Sequence, residues 1–93
     1  MTLVYEWDEA KRAVNLQKHG LDFLAAHRVY ESANKITYRI QELPEERFLD
    51  LALVEIEGVV LALVYTTRNG NVRFISFRRA SRRERRKYAA AKP

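Results

Sequence analysis

The chain has 93 residues, 47% of them hydrophobic and 31% charged, the balance of a folded soluble protein with room for one small domain over residues 1–93. It holds no cysteine, which excludes disulfides, thiolate metal sites and a cysteine nucleophile, and its two histidines, His19 and His27, are too few for a histidine-rich metal cage. The net charge of +5 is lopsided: residues 68–93 carry ten Lys and Arg against one acid, Glu84, an asymmetry that points to a polyanion or an acidic protein partner.

Leu3–Glu6 reads as a short strand. The opening residues lack the basic and apolar stretches of a signal peptide, and the longest apolar run, Val59 to Tyr65, is far short of a membrane span, so a cytoplasmic protein is expected. Asp8 is a good N-cap, and Trp7, Ala10 and Val14 follow at helical spacing. That helix should stop near His19-Gly20, with Gly20 as its left-handed cap. Asp22 is the next N-cap, opening a short amphipathic helix through Phe23, Ala26 and Tyr30 that ends at Ser32-Ala33-Asn34. The period then changes to two. Ile36–Ile40 is a strand and Gln41–Glu46, with Pro44, a loop. Arg47–Glu57 is a strand with Leu49, Leu51 and Leu53 on one face and Asp50 facing the opposite way. Gly58 marks a turn into Val59–Thr67, which is apolar on both faces as a central strand should be. Asn69-Gly70 is a hairpin signal, and Val72–Arg79 is the last strand. Ser81-Arg82-Arg83-Glu84 is a capping box that starts a helix over Arg82–Ala90, with Ala89–Pro93 a frayed tail. The order β-α-α-β-β-β-β-α is an α+β layout, an antiparallel sheet with helices packed on one face.

The chemistry concentrates at two places. On a regular strand Val72, Phe74, Ser76 and Arg78 share one face, and Arg73, Ile75, Phe77 and Arg79 the other, so Arg78 and Arg79 diverge at the strand's end. With Arg82, Arg83, Arg85 and Arg86 they read as a phosphate-binding surface, because an ordinary solvated face mixes signs. Arg68 lies across the hairpin, at the opposite end of the sheet. Tyr88 follows Glu84 by four and either stacks on a base or lies against the sheet. Tyr5, Tyr30, Tyr38 and Tyr65 read as core or boundary residues. Lys18-His19-Gly20 is the second place. The helix dipole there favours a protonated His19, which either donates to phosphate, acts as an acid towards a leaving oxygen, or merely caps the last carbonyls. His27 reads as a surface residue, Glu9 as a dipole partner, and Asn15 as a backbone hydrogen bonder at a helix–sheet junction. Phosphate-loop, dinucleotide-binding, serine-hydrolase and zinc-protease motifs are all missing, and no cofactor is expected.

Trp7-Asp8-Glu9, Lys11, Asn15, Lys18-His19-Gly20 and Phe23 resemble the opening of the BrnT-type toxins. Ile75-Ser76-Phe77-Arg78-Arg79-Ala80-Ser81-Arg82-Arg83-Glu84-Arg85, followed by Tyr88, resembles their ending, and Val64-Tyr65-Thr66 is also typical. The resemblance spans nearly the whole chain, although residues 31–57 match only in pattern. It implies a RelE-like fold and a metal-free ribonuclease of a type II toxin–antitoxin system that stops translation. It implies a BrnA-type antitoxin with a ribbon-helix-helix part, two toxins with two antitoxins, and contact with operator DNA only through that antitoxin. The resemblance places His19, Lys18, Arg78 and Arg79 at the catalytic site. His19 would be the acid or base, Lys18 a phosphate holder and the arginines charge stabilisers, with Arg68 and the last helix on the RNA. The competing readings are a non-catalytic nucleic-acid-binding module and a module that only docks an acidic partner.

Overall fold

The computed structural model describes residues 3–54 and 58–91. Strand β1 (Tyr5–Glu6) leads into helix α1 (Glu9–His19). The Asp8 carboxylate accepts from the N–H groups of Ala10 and Lys11, and Gly20, at φ 70°, closes the helix by donating to the Leu16 carbonyl. The second helix expected from the sequence is two pieces, a 3₁₀ turn (Phe23–Ala25) capped by Asp22 and the four-residue helix α2 (His27–Tyr30). Phe23, Ala26 and Val29 are fully buried at three-residue spacing. A three-residue turn aligns such positions on the core.

The meander follows: β2 (Ile36–Gln41), β3 (Arg47–Val54), β4 (Val59–Arg68) and β5 (Asn71–Arg79), then helix α3 (Arg82–Ala91). Asn69 and Gly70 both have positive φ, as the expected two-residue hairpin requires. The end of the third expected strand, residues 55–57, and the last two residues of the expected tail lie outside the described residues. Ala89–Ala91 belong to α3 rather than to a frayed tail.

Two features correct the expected layout. The sheet is mixed, in the order β1-β5-β4-β3-β2, because β1 pairs parallel with β5 while the other pairs are antiparallel. The two helical segments carry the chain from β1 across to β2, and the meander then returns to β1's side running in the same direction. The helices also cover both faces of the sheet, not one. β4 sends Leu61, Leu63 and Tyr65 to one side, where Phe23, Ala26, Val29, Phe74 and Phe77 meet them. It sends Ala62 to the other, where Leu49, Leu51, Ala80 and Tyr88 meet it. A strand apolar on both faces needs cover on both.

β5 does not alternate regularly. Val64 pairs with Ser76 but Tyr65 with Phe74, so Ile75 is a β-bulge. The bulge moves Phe74 and Phe77, three apart, into the same core, which corrects the face assignment of the regular strand. Beyond the bulge Arg78 and Arg79 still diverge. Asp50 does face away from Leu49 and Leu51, but into the interior. It is fully buried and accepts from Lys35 Nζ at 2.8 Å, Thr37 Oγ1 at 2.6 Å and the Tyr65 hydroxyl at 3.0 Å. A buried carboxylate is tolerable only with such partners. Burial and the Asp50 charge push the Tyr65 hydroxyl pKa up. Among the described residues no helix is long and apolar enough to cross a membrane.

Candidate functional site

The C-terminal ends of α1 and β5 meet, and Asn15 joins them. Its side-chain amide donates to the carbonyls of Phe77 (2.8 Å) and Leu21 (2.9 Å), and its oxygen accepts from the Phe77 N–H at 3.0 Å. Asn15 thus takes the place of a neighbouring strand on β5 where the two-residue β1 has ended. This is the helix–sheet junction role expected from the sequence, and it fixes His19, one turn along α1, beside the end of β5.

Arg79 donates to the His19 carbonyl at 3.2 Å. Arg78 turns to the opposite face and forks onto Glu84 of α3, with Nη1 at 2.7 Å and Nη2 at 3.0 Å from its two oxygens. Glu84 also accepts from the Ser81 N–H, and its own N–H donates to Ser81 Oγ, which completes the expected capping box. The Arg78 fork is the main reason that the Glu84 carboxyl is held down at about 2. The same pairing raises the Arg78 pKa. The acid that stands alone among the C-terminal bases is therefore a clamp that sets the plane of one arginine. Nothing in the reading of Glu84 as a cap alone exposed that role. The signal was a single carboxylate six residues after Arg78.

His19 is half-buried, and its pKa lies below the ordinary imidazole value. Burial is the largest cause, followed by the positive charges of Lys18, Arg78 and Arg79. This corrects the expectation of a protonated imidazole. A helix dipole contributes only about 0.3–1 kcal/mol at an exposed end. Here the Leu16 and His19 carbonyls are already taken by Gly20 and Arg79. Burial and the charges of Lys18, Arg78 and Arg79 thus all act on the His19 imidazole in the same direction, towards its neutral form.

The other expected site residues divide. Arg82, Arg83, Arg85 and Arg86 are exposed on α3, and Arg85 also donates to the Ala80 carbonyl at 3.0 Å. Arg68 lies at the far end of the sheet. It pairs with Glu45 at 3.2 Å, roughly 20 Å along β4 from the residue opposite Arg78. Tyr88 is the correction: it is 3% exposed, donates to the Asn34 carbonyl at 3.0 Å and packs on Leu49 and Leu51. It is the buried residue of α3, whose first six residues are all charged, so it anchors the helix and its ring has no face free for a base. His27 is partly exposed, in keeping with a surface residue, with Nδ1 3.0 Å from the Leu24 carbonyl.

Two grooves flank the arginines. One, of about 480 Å³, runs beside α1 past Lys11, Val14, Lys18, His19, Ile75 and Ser76. The other, of about 470 Å³, lies between β2 and α3, lined by Tyr38, Leu49, Leu51, Arg83, Glu84 and Lys87. Among the described residues no group of three or more His, Asp or Glu could hold a metal ion. A family model described as ribonuclease toxin, BrnT, of type II toxin-antitoxin system matches residues 7–84. No curated protein matches the chain.

Proposed function

The chain belongs to the BrnT family of ribonuclease toxins of type II toxin–antitoxin systems, and from that premise we propose that it is a cytoplasmic, metal-independent endoribonuclease whose cuts stop translation. The observation that supports this most is the junction at which Arg79 donates to the carbonyl of half-buried His19 and Arg78 leaves the adjacent position of β5, with burial and the charges of Lys18, Arg78 and Arg79 lowering the imidazole pKa. RNA cleavage without a cofactor needs a base for the 2′-hydroxyl and fixed cations for the phosphate. His19 takes the 2′-hydroxyl proton. The freed oxygen attacks the adjacent phosphorus and the bond to the 5′-oxygen breaks, that oxygen regaining a proton from solvent. The products are a 2′,3′-cyclic phosphate and a 5′-hydroxyl end. Negative charge that builds on the phosphoryl oxygens is met by the arginines, while Lys18 holds a neighbouring phosphate. Glu84 takes one N–H from each terminal nitrogen of Arg78 and the Arg79 carbonyl takes the second of Nη1 at 3.3 Å, so Nε–H and one Nη2–H of the five donors point elsewhere. Arg82, Arg83, Arg85 and Arg86 track the RNA backbone. Arg68 reaches only a strand long enough to cross the sheet.

The partner in this reading is a BrnA-type antitoxin, two copies with two toxins, and operator DNA is met only through it. The fold is read as RelE-like. A second reading, a non-catalytic nucleic-acid- or antitoxin-binding module, draws on the Arg78 fork already being engaged by Glu84.

Incubation with mixed RNA in EDTA, beside Arg78→Ala and His19→Ala proteins checked for folding, tests the proposal. Cleavage by the unaltered chain should fall about 10²–10³-fold in each variant. Loss in Arg78→Ala alone returns His19 to a helix stop. Tight, salt-sensitive binding with no cleavage, with or without added ribosomes, establishes the binding module instead.

A further inference from the structure

The groove between β2 and α3 has the parts of a nucleobase site. Its floor is Leu49 and Leu51, both buried, and one wall is the half-buried ring of Tyr38, which faces Leu49 across the β2–β3 pair. The opposite wall is α3, which brings Arg83 and Lys87 to the rim. The Lys87 ammonium already lies 5.4 Å from the centre of the Tyr38 ring, so cationic charge and an aromatic face are within one nucleotide of each other. At about 470 Å³ the space falls in the range of small-ligand sites. Glu84 lines the same groove and clamps Arg78, so the groove reaches one of the two arginines that the ribonuclease reading places on the phosphate. An apolar slot with an aromatic wall and a cationic rim suits a base and its phosphate. A stretch of acidic residues alone would offer the rim its carboxylates but leave the Tyr38 ring without a partner to stack on. The groove beside α1 carries lysines and the His19 imidazole but no Phe, Tyr or Trp on its lining.

We infer that this groove is a nucleobase subsite, in which a base next to the scissile phosphate stacks on Tyr38 while Arg83 and Lys87 hold its flanking phosphate. The inference rests on the ribonuclease reading for its ligand, but it is read by binding alone. The probe is a short 2′-O-methyl RNA, which has no 2′-hydroxyl to attack and so binds without being cut. Its affinity is measured at one fixed salt concentration for the unaltered chain, Tyr38→Ala and Tyr38→Phe, each checked for an unchanged melting profile. A stacked base contributes enough that Tyr38→Ala should bind roughly five- to 100-fold more weakly, while Tyr38→Phe, which keeps the ring, should bind within about twofold of the unaltered chain. The same oligonucleotide with one abasic position should bind the unaltered chain and Tyr38→Ala alike. Equal affinity of the unaltered chain and Tyr38→Ala for the intact probe, or no binding at all, overturns the subsite and leaves the groove to a protein partner. Cleavage of unmodified RNA, followed in parallel, judges the ribonuclease reading separately.

Discussion

The two faces of the sheet are built on different plans. The face under α1 and α2 is closed by aromatic packing: Phe74 stacks on Tyr5 and Trp7, Phe23 meets both Trp7 and Phe74 edge-on, and Tyr30 meets Tyr65 edge-on. The face under α3 is shallower. Leu49, Leu51, Ala62, Ala80 and Tyr88 form it, and α3 also carries Arg82, Arg83, Arg85 and Arg86, which are exposed. One face therefore holds the larger aromatic core, and the other is a smaller cluster bordered by the groove under α3. Arg78 and Arg79 show the same division at the level of one dipeptide. Arg79 ties the closed side to the His19 carbonyl, and Arg78 serves the open side through Glu84.

Matched truncations give the sharpest contrast. Phe77→Ala, in the closed core, should cost about 3–5 kcal/mol, whereas Leu49→Ala under α3 should cost nearer 2 kcal/mol. For a domain of this size each kcal/mol moves the melting temperature by about 4–8 °C. Thermal melts that ranked the two equally would break the comparison. Next in size is Asn15→Ala, which strands the N–H and carbonyl of Phe77 and the carbonyl of Leu21. About 2 kcal/mol of stability should be lost in denaturant titration, since each abandoned buried group costs about 1–3 kcal/mol in part offset by water.

Glu84 supplies a smaller effect on the open face. Its folded pKa, about 2, is depressed below the unfolded carboxylate value, mainly by Arg78. The pair's contribution is therefore full above about pH 5 and fades as the pH falls towards 2. Because the pair is partly solvated, that contribution is about 1 kcal/mol. The unaltered chain should lose that much more stability than Glu84→Gln between pH 5 and 2. Parallel acid titrations of the two proteins would show the fork to be idle if they coincide.

The residues that were legible from sequence are those whose local chemistry is self-sufficient. Asp8, Gly20, Asp22, Asn69-Gly70 and Ser81–Glu84 each satisfy backbone groups within a few positions, so their geometry is written in adjacent residues. Asn15 and the divergence of Arg78 from Arg79 were also readable, since both follow from spacing. The bulge at Ile75 was not, because strict alternation is the default and only the three-residue interval between Phe74 and Phe77 spoke against it. Helix placement on both faces was available in the two-sided apolar pattern of β4, but it needed the third helix to be assigned a side. Tyr88 and Asp50 depended on residues far along the chain: Asn34 and Leu53 for one, Lys35, Thr37 and Tyr65 for the other. The same holds in part for His19: burial is the largest cause of its lowered pKa and Lys18 of its own helix the next, but Arg78 and Arg79, about 60 positions away, add to it.

That last dependence yields the smallest and most specific expectation. If His19 accepts the 2′-hydroxyl proton, cleavage should rise with pH and level off above the folded pKa of His19, with its inflection below the ordinary imidazole value of about 6.5. Arg79→Gln removes one of the three cations that lower the imidazole pKa, so the acid-side inflection should move to higher pH. Gln retains an N–H donor for the His19 carbonyl, so the junction itself should persist. Added salt screens the same charges, and should move the unaltered protein in the same direction but shift Arg79→Gln less. A profile with no inflection near neutrality, or one that Arg79→Gln leaves in place, would detach His19 from the chemistry. Its position at the end of α1 would then serve only to close the helix against the arginines of β5.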